Sequence, residues 1–355
     1  MDAEQQLADR LFGATLGALD VLSIHLGDRL GLYTVLAERG PLTATELADG
    51  AGIHPRYARE WLEQQVVAGL LEVDDAATDA DHRRFVLPAE HVGALADPDA
   101  IDHFTPIVRV VATAASRVDA LVDAYRAGGG VPWEAYGPGM RTGQAGGNRP
   151  AFLHLLAQEW IPAVPGLVET LSSGARIADI GCGEGWSSIA MARGFPSVTV
   201  DGYDIDAASV EAATQHAAEA GVSDRVRFHL ADAGSLDGEP YDLVTAFECI
   251  HDLPDPVAVL TSMRELAGTD GVVLVMDERV PEEFTGHSED PVEQLMYGFS
   301  IAVCLPDSMS TTPSRATGTV MRPAVLRGYA REAGFADVEV LDIEHDLWRF
   351  YRLVH

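Results

Sequence analysis

Lysine does not occur anywhere in the 355-residue sequence: all 24 basic residues are arginine, set against 55 acids, for a formal net charge of −31. The missing lysine points to a GC-rich genome rather than to a chemistry, but the shortage of positive charge has a physical consequence. A surface this acidic repels phosphate backbones and anionic lipid, which makes nucleic acid and membranes poor partners. Cysteine is also scarce. Cys182, Cys249 and Cys304 lie far apart, with no Cys-x-x-Cys pair and no Cys/His cluster at zinc spacing, so no metal site is expected and a reducing, cytoplasmic setting is. A basic leader and a membrane-length apolar run are missing as well. The sequence starts Met-Asp-Ala-Glu-Gln-Gln, and the apolar stretch from Leu11 to Leu19 is closed off by Arg10 and Asp20.

What is present describes a globular protein. The apolar fraction of 47% is enough for packed interiors, and the length exceeds what one core usually organises, so two domains are expected. The pattern divides into a helical and winged-helix dimerisation domain over 1–95, a helical connector with a mobile loop over 96–165, and a nucleotide-binding type of α/β domain over 166–355.

In the first segment Leu7, Leu11, Leu16, Leu19, Leu22, Ile24 and Leu26 cover more than one helical face, which predicts burial on several sides, as at a subunit interface. Thr43 and Glu46 have the spacing of a capping box, and a second helix is expected after His54-Pro55. Leu70–Val73 and Arg84–Leu87 then read as a two-stranded wing. The connector is interrupted at Gly128-Gly129-Gly130 and over the Gly/Pro-rich run from Tyr136 to Gly147, the expected mobile loop.

From Ala175 onward β-branched runs alternate with helical patterns, which implies a doubly wound, Rossmann-like α/β sheet. One buried strand, Arg176 to Ile180, runs directly into Gly181-Cys182-Gly183-Glu184-Gly185-Trp186. Glycines in such a turn let backbone approach a ligand closely. A dinucleotide fingerprint would need a small residue where Trp186 stands. Asp179 and Glu184 put negative charge around the turn, which suits an ammonium or sulfonium better than a pyrophosphate. Strand two ends in Asp204, about 20 positions on, where a carboxylate can accept ribose hydroxyls. Strand three ends at Asp232-Ala233, placing a second carboxylate at the same rim.

From Ile177 to Asp277 the segment resembles the class I S-adenosylmethionine-dependent methyltransferases, and the full chain resembles bacterial relatives of the plant-type small-molecule O-methyltransferases. The resemblance implies S-adenosylmethionine as cofactor. It implies that Asp179, Gly181, Gly183 and Gly185 flank the methionine moiety, that Asp204 holds ribose, and that Ile205 packs on adenine while Asp232 and Ala233 read its edge. Tyr136 and Phe247 are further candidates for cofactor contact. It also implies a homodimer acting on a small-molecule acceptor.

Strand four leads into Glu248-Cys249-Ile250-His251-Asp252, and strand five ends at Asp277. His251 is the candidate general base and Asp277 the residue that holds it in the basic tautomer. The plant-type enzymes carry His-Asp at this position. They also supply a further carboxylate ahead of the final helix, whereas here no acid occurs between Asp307 and Glu332. Two alternatives remain open: a winged-helix transcription regulator using Arg56 and Arg59, and an S-adenosylmethionine sensor without methylation. Asp74, Asp75, Asp79 and Asp81 in the wing weigh against the regulator.

Overall fold

The computed structural model describes residues 2–355, which separate into two compact units after Thr113. The first unit contains α1 (Ala3–Arg29), α2 (Leu32–Arg39), α3 (Ala44–Ala51) and α4 (Pro55–Val67). Paired strands β1 (Glu72–Val73) and β2 (Phe85–Val86) follow, then the single turn α5 (Val92–Leu95) and most of α6 (Thr105–Ala115). The capping box forms as its spacing predicts: Thr43 Oγ1 accepts from Glu46 N, and Glu46 Oε2 accepts from Thr43 N. Leu36, Leu47, Trp61, Leu62 and Phe85 make the core of this unit. The apolar residues of α1 behave differently. Leu7, Leu11, Phe12 and Leu16 are each about half exposed or more, so within one chain the expected burial of this helix does not occur.

The second unit begins with α7 (Val118–Ala127), α8 (Trp133–Tyr136) and α9 (Pro138–Ala151). Here the structure departs from the expected mobile loop, because the Gly/Pro-rich run is helical. Pro138 sits in the first helical turn, where its missing N–H is not needed. Tertiary bonds outweigh the poor propensity: Arg141 makes a bidentate pair with Asp206, at 2.6 and 2.7 Å, and Gln144 and Asn148 both donate to Glu248. Pro150 removes one donor from the ladder near the end of α9, and the helix widens into π geometry over Phe152–Trp160.

After α10 (Leu167–Ser172) the α/β pattern follows as β3 (Arg176–Ile180), α11 (Trp186–Gly194), β4 (Thr199–Asp204), α12 (Ala207–Glu219) and β5 (Val226–Leu230). Then come β6 (Leu243–Phe247), α13 (Pro256–Ala267) and β7 (Val272–Glu278). The remainder is α14 (Pro291–Phe299), α15 (Leu305–Ser308), α16 (Pro323–Glu332), β8 (Asp337–Val340) and β9 (Trp348–Val354). The seven strands lie in the order β5-β4-β3-β6-β7-β9-β8, parallel except for β9, which inserts antiparallel between β7 and β8. Strand β6 is buried along its whole length and β3 along nearly all of it, as strands covered on both faces must be. The chain winds outward through β4 and β5, then crosses back to β6. That reversal between β3 and β6 opens a crevice at the carboxyl ends of the strands, the usual place for a ligand in such sheets.

Candidate active site

The turn after β3 is built by three glycines in left-handed conformation, with φ of 66° at Gly181, 52° at Gly183 and 84° at Gly185. Their reasons differ. A Cβ on Gly181 would meet Cys249 Sγ at 2.7 Å, and one on Gly185 would meet Phe228 at 2.5 Å, so both are glycine for close packing. A Cβ on Gly183 would meet nothing within 4 Å and would project into open space. Gly181, Gly183, Gly185 and Phe247 line one concavity together with Trp133, Gln144, Asn148, Trp186 and Glu248.

Asp179 lies at the base of the turn. It is 1% exposed, and its carboxylate accepts from Ser187 Oγ and Ser188 Oγ, both at 2.6 Å, and from Thr245 Oγ1 at 2.8 Å. Burial pushes its pKa up against these hydroxyls. It braces the start of α11 and reaches the crevice only through the turn it holds. Asp204 is placed differently. Its Oδ2 accepts from Gly183 N and its Oδ1 from Asp206 N, each at 2.8 Å, leaving lone pairs on both oxygens for another donor. Ile205 is 75% exposed on the same rim. Asp232 is exposed and accepts from Gly234 N, forming the turn that presents Ala233. Tyr136, by contrast, is buried and donates its hydroxyl to Ala302 O at 2.8 Å, away from the lining of the concavity.

Sequence reasoning passed over Glu248, which lies at the tip of β6 with φ of 52°, a conformation that non-glycine residues adopt at a cost. Its Oε2 accepts from Gln144 and Asn148 and its Oε1 from the indole of Trp348, and burial pushes its pKa up. The signal was an acid directly after a buried strand, beside the more familiar His-Asp pair. Arg141 and its pairing with Asp206 were also missed, since nothing local links them.

His251 and Asp277 come together, with Nδ1 2.9 Å from Asp277 Oδ1. They are not alone: Glu278 Oε2 is 3.0 Å from the same nitrogen, and Asp252 Oδ1 is 3.2 Å from Nε2. Burial works against a charged imidazole, but Asp252, Glu278 and Asp277 outweigh it and hold the His251 pKa well above its usual value. The arrangement therefore favours an imidazolium over the neutral, proton-accepting ring expected from sequence. Burial likewise raises Glu278, whereas for Asp277 the attraction of His251 overcomes burial and lowers the pKa. In the insertion after β7, Met296 is buried and Tyr297 OH lies 3.1 Å from Arg322. Asp307 accepts from Trp133 N at 2.7 Å, and burial together with Asp252 pushes it up to about 7.

With this geometry in view, comparison with known proteins defines the class. A family profile described as a methyltransferase domain matches residues 171–317, and one described as an Rv2258c-like winged HTH domain matches 17–97. The ubiquinone biosynthesis O-methyltransferase of Actinobacillus pleuropneumoniae serotype 5b (strain L20) is 32% identical over 105 residues, 28% of this chain and 44% of that protein. The chain thus spans less than half the length of that curated relative. Among solved structures, a mitomycin 7-O-methyltransferase is 19% identical with a TM-score of 0.72, covering 99% of both chains. Human N-acetylserotonin methyltransferase, solved in complex with S-adenosylmethionine, is 18% identical with a TM-score of 0.73, covering 100% of this chain and 98% of that one. At these identities the likeness shows the fold. The protein carries a methyltransferase domain preceded by a winged helix-turn-helix domain.

The glycines give a paired prediction. Gly185→Ala should lower the melting temperature, through a loss of about 1–3 kcal/mol from overpacking on Phe228. Gly183→Ala should lose about 1–2 kcal/mol through backbone strain but should weaken nucleoside binding much more, because its Cβ enters the concavity. Melting curves and calorimetry separate the two, and equal binding losses would contradict the assignment. Asp307 gives a second. Its folded-state pKa is raised from 3.8 to about 7, so the native chain binds a proton that the unfolded chain has already lost within that window. Its contribution to stability therefore declines as pH rises through the window. Asp307→Asn should match wild type near pH 4 and become the more stable of the two by pH 8; a gap that fails to widen would refute this.

Proposed function

We propose that the protein transfers a methyl group from S-adenosylmethionine to a hydroxyl oxygen of a small molecule. The carrying observation is the open left-handed Gly183, bound through its N–H to Asp204 at the switch point of the sheet. Backbone at Gly181 to Gly185 would lie along the methionine part, Asp204 would accept the ribose hydroxyls, and Ile205 with Asp232 and Ala233 would frame the adenine. The residues fit a cationic nucleoside: Gly183 leaves space, and the concavity includes Glu184 and Glu248, whose negative charge suits a sulfonium. When bound, the cofactor supplies a methyl carbon already activated by positive sulfur, so the protein has mainly to align the acceptor and take its proton. The proton would pass to the carboxylate-rich cluster around His251, with Asp277 orienting the ring.

The mature assembly is read as a homodimer in a cytoplasmic setting. The half-exposed leucines and Phe12 of α1 form an apolar surface too extensive for a solvated helix, and a second copy would cover it. No described helix is long and apolar enough to cross a membrane. A nucleic-acid role is disfavoured because the arginines of α4 are already engaged, Arg56 with Glu60 and Arg59 with Asp81.

Calorimetry should detect S-adenosylhomocysteine binding that Asp204→Asn weakens about tenfold or more, a loss of at least about 1.4 kcal/mol. With a panel of phenols and alcohols, His251→Gln should bind the cofactor normally and lose most turnover; unchanged turnover would remove the cluster from the chemistry. Cofactor binding without S-adenosylhomocysteine release on any acceptor would favour the sensor alternative. Light scattering should give twice the chain mass, and Leu11→Glu with Leu19→Glu should give single chains. A wild-type monomer would rule out the dimer.

A further inference from the structure

Glu248 is costly to keep where it stands. It is one of two non-glycine residues among those described with a left-handed backbone, and burial works against its charge. Every hydrogen-bond donor that reaches it is neutral. Gln144 and Asn148 donate to Oε2 and the Trp348 indole to Oε1, which fills three lone-pair positions, leaves one on Oε1 and cancels no charge. The positive group acting on it is His251, which Asp252, Asp277 and Glu278 already surround. The other charged residues lining the concavity are Arg141 and Glu184. Arg141 is matched by Asp206 at 2.6 and 2.7 Å, and Glu184 lies within its field. Glu248 is thus the lining charge with no cation of its own.

We propose that Glu248 makes the site read the charge of its cofactor, holding the sulfonium of S-adenosylmethionine and releasing the neutral thioether of S-adenosylhomocysteine. This rests on the methyltransferase reading above and adds to it by giving one side chain the task of telling loaded from spent cofactor. In the transfer, the acceptor oxygen bonds to the methyl carbon, the sulfur–carbon bond breaks with its electron pair left on sulfur, and the acceptor proton goes to the cluster around His251. Sulfur thereby loses its charge, and with it the attraction to Glu248. The two nucleosides share the same ammonium, carboxylate, ribose and adenine, so their difference in affinity isolates the charge at sulfur. Attraction made in the ground state does not speed the chemical step, so Glu248 serves loading and release.

Calorimetry on the full chain with each nucleoside gives the test. Wild type should prefer S-adenosylmethionine. Glu248→Gln should weaken that ligand about tenfold or more and S-adenosylhomocysteine about threefold or less. Glu248→Asp, which keeps the charge, should keep most of the preference, and Glu184→Gln should move it less than Glu248→Gln does. Circular dichroism checks that each variant folds. A side chain that only tied α9 to β9 would weaken both nucleosides alike, and that outcome in folded Glu248→Gln would overturn the proposal, as would loss of the preference in Glu184→Gln. Should Glu248→Gln not fold, Asp307→Asn, which removes the acid raised to about 7, carries the test instead. There the preference should shrink between about pH 7 and about pH 5 as Glu248 takes a proton while His251 stays charged, and a constant preference would overturn the proposal. Wild type that bound neither nucleoside would remove the methyltransferase reading itself, and this inference with it.

Discussion

A carboxylate sealed from water sets the geometry on which the crevice depends. Asp179 accepts from two serines at the start of α11 and from Thr245 in the middle of β6, so a single buried group joins three elements at the point where the sheet reverses. Without those hydroxyls, burial would force the acid to protonate or turn outward. The glycine turn lies directly above it. Cys249 and Phe228 can pack against its left-handed backbone only because Gly181 and Gly185 carry no side chain to meet them. The open position at Gly183 is therefore a product of packing beneath it as much as of the glycine itself.

Much of this was legible in the sequence. The alternation of buried strands and helices fixes the doubly wound order, and the spacing of the glycine turn, Asp204 and Asp232 follows from regular βα units. Local signals also sufficed for the capping box at Thr43. What could not be read depends on partners distant in the chain. Nothing near Gly139, Gly146 or Gly147 announces that Arg141 will meet Asp206 or that Asn148 will meet Glu248, and those contacts turn an expected loop into helix α9. The charge state of His251 was similarly hidden. Asp277 was visible as its neighbour across the sheet, but Glu278, one residue further on, folds back to the same nitrogen instead of pointing to the opposite face.

Charge runs through the second unit in a consistent way. The overall excess of acid leaves few cations to balance buried carboxylates, and the structure manages them individually. Asp179 receives hydroxyls, Asp204 backbone amides, Asp206 an arginine and Glu248 amide and indole groups. The acids at His251 depart from that pattern, because their donors are too few for their oxygens. Buried anions left in this condition mark places where a protein expects something positive.

Strand β9 carries a consequence for how the protein comes into being. It follows the other strands of the sheet in sequence, yet it lies inside the sheet against β7, and its Trp348 donates to Glu248 at the edge of the concavity. The crevice therefore cannot be finished until β9 has emerged from the ribosome, however early β3 and its glycine turn assemble. A nascent chain missing those residues would expose the flank of β7 and leave a buried glutamate short of one donor. Competence of the site is thus coupled to the arrival of β9, and translation that stops before it would yield protein with a half-built crevice.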